Sequence, residues 1–273
     1  MATTSAGIPG KNSGTPVTDA HDSRPLAPAG SEARLIWRLA EVMTIITENR
    51  RTRSIVLRVP DWPGHSPGQH VDLRLTAEDG YQAQRSYSIA SPPDGTRVEL
   101  TVERLEDGEV SPYLTDELRP GDQIELRGPV GGYFVWEPPQ GGPLLLVAGG
   151  SGVAPLMAMI RLRAAVGSDA DTRLLFSSRS WEDVIYRDEL ERLEGGGLRV
   201  VHTLTRSPPA DWTGYARRVD AEILAEVGPG PTERPRVYVC GPTLFVEAVA
   251  QELVQLGHEP HMVKTERFGP TGG

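Results

Sequence analysis

Residues 144–155 read Leu-Leu-Leu-Val-Ala-Gly-Gly-Ser-Gly-Val-Ala-Pro, an apolar run that ends in three glycines within four positions. A buried strand that enters such a turn and leaves as a helix brings free backbone N–H groups and the positive end of a helix dipole to one corner. That corner suits a pyrophosphate, with Gly149, Gly150, Gly152, Ala154 and Pro155 as its candidate residues. The spacing is not G-x-G-x-x-G, and a strand-to-helix turn that needs glycine only for its dihedrals is the competing reading. A second candidate is Arg85-Ser86-Tyr87-Ser88, where strand alternation puts a guanidinium and a phenol on one face and two hydroxyls on the other. A guanidinium binds phosphate oxygens in pairs and a phenol ring can lie against a planar ring system, yet alone this is a polar-faced strand. Val239-Cys240-Gly241-Pro242 marks a strand end meeting a helix start, where ligands bind in open parallel sheets; a lone cysteine there is ordinarily packed. Gly128 to Phe134 could be a glycine hairpin, and Thr265-Glu266-Arg267-Phe268-Gly269-Pro270 a frayed tail.

The elements that must position these residues fall into two patterns. From Leu35 to about Pro139, short β-branched runs are cut by turn signals: 40–47, 54–59, 69–75, 85–89, 97–105, 122–126 and 133–136. Six or seven such strands with a short helical stretch near 112–118 make a small antiparallel barrel or sandwich. After the Pro/Gly-rich stretch 138–143, strands expected at 144–148, 173–177, 198–205 and 237–240 alternate with helices at 155–166, 181–193, 218–227 and 244–256. That alternation implies a parallel sheet wrapped by helices. The expected fold is therefore β plus α/β, with a tail at 1–33, a barrel domain at 34–138 and an α/β domain at 139–273.

The chain has 273 residues and a formal net charge of −9, which argues against a sequence-independent nucleic-acid binder. No apolar run reaches the roughly 18 residues of a membrane span, so no membrane insertion is expected. A single cysteine, Cys240, rules out an intrachain disulfide framework and a four-cysteine iron–sulfur site, and fits a reducing, cytoplasmic setting; no metal site is expected. Arg50-Arg51-Thr52-Arg53 is the densest basic cluster, able to attract an acidic protein, with a solvated hairpin as the plainer reading.

Taken in order, R-x-Y-S in a barrel followed by G-G-x-G-x-x-P and C-G-P in a nucleotide domain, the chain resembles the ferredoxin–NADP reductase superfamily over roughly residues 35–268. The resemblance implies a flavin-binding barrel, an NAD(P)-binding α/β domain, and an oxidoreductase moving a hydride from NAD(P)H onto bound FAD, with FMN possible. It implies electron delivery to a separate redox protein, such as a ferredoxin or an oxygenase. A free-flavin or quinone reductase and a non-catalytic redox sensor are the alternatives. By motif, Arg85 would contact the flavin phosphates, Tyr87 would lie against the ring system and ribityl chain, and Ser88 would sit near the reacting nitrogen, with Ser86 beside them. The stretch from Val102 through Gly108, Val110 and Ser111 looks like a second phosphate segment, Ser111 also serving as a helix cap. Cys240, Gly241 and Pro242 would flank the nicotinamide, and Glu266 and Phe268 would lie near the flavin ring. Ser88, Cys240 and Glu266 are the expected catalytic set. No acidic residue stands at Ser177-Ser178-Arg179-Ser180, so Arg179, with Ser178 and with Arg206, could take a 2′-phosphate, which favours NADPH over NADH. The competing reading has Ser180 capping the next helix and Arg179 in solvent.

Overall fold

The structure is a computed structural model that describes residues 35–269; the expected tail at 1–33 and Pro270 lie outside them. Six strands, β1 (Trp37–Thr47), β2 (Thr52–Arg58), β3 (His70–Thr76), β4 (Gln82–Ser88), β5 (Arg97–Glu103) and β6 (Gln123–Val130), form one antiparallel sheet in the order β4-β3-β6-β1-β2-β5. A bridge between Ile89 and Leu100 brings the end of β4 to β5 and curls the sheet toward a barrel. Alternation buries Ala40, Val42, Ile55, Leu57, Val71, Leu73, Val98, Leu100 and Leu126 inside it.

The run 133–136 is not a seventh strand. Gly128 and Gly131 take positive φ (156° and 94°), and the chain leaves the sheet so that Phe134 and Trp136 enter the core of the next layer.

That layer is a parallel sheet of β7 (Leu144–Gly149), β8 (Thr172–Ser180), β9 (Leu198–Ser207), β10 (Arg236–Pro242) and β11 (Val263–Phe268), ordered β11-β10-β7-β8-β9. The helices α1 (Val153–Ala165), α2 (Arg187–Leu193), α3 (Ala221–Val227) and α4 (Thr243–Gln255) connect successive strands. Both faces are covered, because Leu144, Leu146 and Ala148 pack with α1 and α2 whereas Leu145 and Val147 pack with α3 and α4. The apolar face expected on α4, Val246, Val249 and Leu253, is buried.

Two expectations fail here for physical reasons. The helix expected at 181–193 is interrupted, with a 3-10 turn at Trp181–Asp183 and α2 beginning only at Arg187. Val184 is extended (φ −66°, ψ 120°) and Tyr186 takes the left-handed φ 58°, so the backbone cannot run through them as a helix. The expected frayed tail is instead β11, paired in parallel register with β10 so that Cys240 lies opposite Glu266.

A polar clasp joins barrel and sheet. Arg161 of α1 donates to Glu99 Oε1 (2.7 Å), to the Ala90 carbonyl (2.9 Å) and to both carboxylate oxygens of Glu189 (2.8 and 2.6 Å). Glu99 is 4% exposed and its other cation, half-exposed Arg97, stands 3.6 Å away, so removing Arg161 leaves a poorly compensated buried charge. Arg161→Met should cost about 3 kcal/mol of stability, read as a lowered urea midpoint; a loss within a few tenths would show the clasp to be energetically idle.

Candidate functional site

In an open parallel sheet ligands bind beyond the carboxyl ends of the strands, where the strand order reverses. Here that point lies between β7 and β10, whose ends are Gly149 and Cys240-Gly241-Pro242. A cleft opens there, lined on the sheet side by Gly149, Gly150, Ser178, Arg179, Pro242 and Phe245.

The three glycines do three different jobs. Gly150 takes φ 56° and faces the cleft, with only Glu103 near it. Gly149 leaves room for the Phe245 ring, since a Cβ on it would meet that ring at 2.9 Å. Gly152 is buried, and its Cβ would lie 2.2 Å from the Cys240 carbonyl oxygen, so this glycine serves close approach of the turn to β10. Ala154 and Pro155 are buried in α1. Their side chains pack rather than face a ligand, so any part these two take in the corner is through main chain.

Strand β8 runs through Ser180, so Ser178 and Arg179 stand on the strand end and not in a loop after it. Arg179 is exposed into the cleft. Ser178 is 5% exposed, and its Oγ has no partner. Arg206 is exposed on β9 but is not among the cleft-lining residues. Ser180 does not cap a helix; its hydroxyl donates to Asp183 Oδ2 (3.0 Å).

A second cleft lies on the barrel side, lined by Gly68, His70, Ser86, Ser88, Gly131, Tyr133 and Glu266 among others, and Phe268 lines both clefts. Ser88 Oγ, at the end of β4, donates to Glu266 Oε1 of β11 at 2.9 Å, while Glu266 Oε2 is buried without a partner. Burial pushes the Glu266 carboxyl up to about 7, against the Ser88 hydrogen bond that favours its ionised form. Cys240 is 1% exposed, and burial, followed by the Glu266 carboxylate, pushes its thiol well above the ordinary range. It is a buried, neutral thiol that lines neither cleft, and not a nucleophile.

Arg85 is about half exposed and pairs with Glu109 (3.0 Å), whose other oxygen accepts from Tyr81 (3.0 Å). Tyr87 packs against the barrel core, and burial pushes its phenol up to about 12. Ser86 donates to Asp72 (2.6 Å). In the segment from Val102 to Ser111, Val102 and Val110 are core residues, so only backbone there can face a phosphate. Ser111 Oγ accepts from the Leu105 N–H (3.0 Å) and makes no cap hydrogen bond to the single turn of π-helix at Tyr113–Glu117, which corrects the capping role. Gly108 packs on that hydroxyl.

Sequence reasoning missed the residues that the barrel lends to the first cleft, namely Asn49, Arg51, Thr52 and Glu103, and also missed Phe245. Their part arises from long-range packing, for which local pattern has no signal. Arg51, grouped from sequence with a basic docking patch, lines this cleft instead. Among the described residues no group of three or more His, Cys, Asp or Glu could hold a metal ion, and no helix is long and apolar enough to cross a membrane.

An Oxidoreductase FAD-binding domain model matches residues 40–135 and an Oxidoreductase NAD-binding domain model matches residues 146–251. The chain is 40% identical over 210 residues to ferredoxin–NADP reductase B of Sorangium cellulosum, covering 74% of this chain and 84% of that protein. The chain belongs to the ferredoxin–NADP reductase superfamily. As a member of it, the chain is an FAD-dependent NAD(P)H oxidoreductase. The reductase is also 33% identical over 213 residues to the glycine betaine monooxygenase reductase subunit of Pseudomonas aeruginosa, spanning 56% of that relative's length. Among solved structures, the Amycolatopsis cytochrome P450 reductase GcoB superposes with TM-score 0.76 at 27% identity, covering 87% of this chain and 71% of that one.

The reductase's second cleft fits a flavin by its own chemistry. Gly131 and Gly132 leave a wall without side chains, Tyr133 and Phe268 supply aromatic surface, and the partnerless Glu266 oxygen stands ready for a polar ring edge. Arg85, on the same strand as Ser86 and Ser88, is held in an ion pair by Glu109 and is not among the residues that line this cleft.

Proposed function

We propose that this reductase takes a hydride from NADPH, in preference to NADH, at the junction of its two clefts and delivers electrons to a separate redox protein. The single observation that carries this reading is the Ser88–Glu266 hydrogen bond, which ties the last residue of β4 to β11 beside Phe268, the residue common to both clefts. Bound FAD supplies a two-electron acceptor for the nicotinamide hydride and a donor of electrons to the partner. The chain's own residues hold and orient. Arg85 anchors phosphate at the outer end of the barrel site, and Tyr87 backs the ring system from the barrel core. Ser88 presents a hydroxyl whose direction is fixed by Glu266. Pro242, carried on β10 after buried Cys240 and Gly241, forms the floor against which a nicotinamide lies, and the apolar faces of Phe245 and Phe268 limit water. Relatives named as a ferredoxin–NADP reductase and a monooxygenase reductase subunit support a protein acceptor.

The test is an absorbance spectrum of the purified protein followed by anaerobic titration with NADPH and NADH. Flavin bands bleached at lower NADPH than NADH concentration are expected; a protein that stays colourless with added FAD overturns the reading. Loss of colour on dialysis, with turnover restored by added flavin in excess, would make flavin a substrate instead.

Preference for NADPH rests on Arg179 and the partnerless Ser178 hydroxyl at the end of β8; Asp183, which also lines the cleft, is engaged by the Ser180 hydroxyl. Arg179→Gln should raise the KM for NADPH about tenfold, the scale of one charge-assisted contact, and leave the KM for NADH within a factor of two. Equal changes for both nucleotides would remove Arg179 from the selection.

A further inference from the structure

The hairpin between β1 and β2 belongs to the barrel by sequence, yet it reaches the sheet domain. Glu48 Oε2 accepts from the Tyr186 N–H (3.0 Å), and Asn49 Nδ2 donates to the Asp183 carbonyl (3.2 Å). These contacts seat the hairpin on the irregular segment between β8 and α2. Arg51 then lines the nucleotide cleft together with Gly149, Gly150 and Arg179. Its backbone N–H is held by Asn49 Oδ1 (2.9 Å) and its Nη2 by the Arg104 carbonyl (3.1 Å), which leaves Nε buried and without a partner. A guanidinium fixed at one end with an unused donor is prepared for an anion. Among the described residues no carboxylate forms an ion pair with it, although Arg104 beside it is paired with both Glu106 and Asp116.

The anion's identity follows from place. Arg51 shares the cleft with the Gly149–Gly150 turn, and Glu103, whose strand pairs with Thr52, approaches that turn to within 3.7 Å of where a Gly150 side chain would begin. Gly150 φ 56° and the start of α1 follow immediately, the usual setting for a pyrophosphate. We infer that Arg51, supplied by the barrel hairpin, binds the pyrophosphate of the pyridine nucleotide from the side opposite the glycine turn, and that Glu103 opposes it by repelling the same charge. This rests on the proposed nucleotide site, and it makes that site a joint product of both domains. Arg51 would act equally on NADH and NADPH, in contrast to Arg179.

The experiment uses the flavin-loaded protein and calorimetric titration with ADP-ribose, NAD⁺, NADP⁺ and adenosine. For Arg51→Gln, ADP-ribose, NAD⁺ and NADP⁺ should each bind about tenfold more weakly, with adenosine unchanged. Arg51→Lys should recover part of the loss, and Glu103→Gln should tighten all three phosphorylated ligands by about threefold, because removing a nearby like charge acts in that direction. An unshifted flavin spectrum and melting temperature show that the variants are folded. Unchanged ADP-ribose binding in Arg51→Gln overturns the inference, as does a loss confined to NADP⁺, which would place Arg51 on the 2′-phosphate. Failure of the underlying reading looks different: wild-type protein would bind none of the nucleotides.

Discussion

Ser88→Ala is expected to slow flavin reduction by NADPH about a hundredfold under anaerobic stopped-flow conditions, with flavin content unchanged. The estimate comes from the loss of one preorganised donor at a reacting centre, which costs roughly 10²–10³ in rate. Ser88 is such a donor when Glu266 is protonated: the carboxyl then donates to Ser88 Oγ across the same 2.9 Å contact and frees the serine O–H for the reacting centre. A rate within threefold of wild type would reduce Ser88 to a packing residue. Glu266→Gln tests the other partner through pH. With the Glu266 carboxyl raised to about 7 by burial, the wild-type rate should show an inflection near pH 7 that the Gln variant lacks. Stability has a defined sign as well. A carboxyl whose folded value lies above its unfolded value favours folding while protonated, so its contribution is present below about pH 4.5 and is lost as pH rises to about 7. Glu266→Gln should therefore leave the melting temperature unchanged near pH 4 and raise it at pH 8.

Gly152→Ala should be among the most damaging single-methyl changes in the chain. The added carbon would lie 2.2 Å from the Cys240 oxygen, 2.5 Å from its carbonyl carbon and 2.7 Å from the Gly241 nitrogen, all backbone atoms. Relief requires prising the turn away from β10, so a loss of about 3 kcal/mol or more in urea unfolding is expected. Gly149→Ala supplies the contrast, since the atoms nearest its new methyl (2.9–3.1 Å) belong to the Phe245 ring, a side chain that can shift, and not to backbone. It should cost about 1 kcal/mol while weakening nucleotide binding. Similar losses for both would mean that the glycine turn is more yielding than its geometry indicates.

The strand-and-helix grammar was legible because it depends on local pattern. Leu144 to Ala148 reads as a buried strand from its composition alone, and α4 shows its apolar face at Val246, Val249 and Leu253. Long-range packing decided the rest. Nothing local in Val184-Ile185-Tyr186 shows that Tyr186 will be held by Glu48 and Thr101 of the barrel in a left-handed conformation that interrupts the helix. Thr265 to Phe268 is polar enough to resemble a tail, and becomes a strand only because β10 offers it an open edge. Within the site, the motifs located Ser88, Cys240 and Glu266, which the fold brings together, while Val102 and Ala154 of the phosphate segments send their side chains into cores. Arg51 stood in the sequence as mere surface charge, because its neighbours in space are 50 to more than 120 residues away.

Phe134 and Trp136 stand before the proline-rich stretch at 138–143, on what the sequence reads as the barrel's side, yet they pack among Leu146, Met157, Met159 and Tyr238 of the sheet domain. Tyr238 donates its hydroxyl back to the Val135 carbonyl (2.9 Å) and meets the Phe134 ring edge-on at 5.3 Å. A chain cut at the proline stretch would thus hand one fragment a cavity and the other two bare aromatic rings. The halves of this enzyme are separate in plan but share their filling, and a loosening of either transmits directly to the spacing at which nicotinamide and flavin must meet.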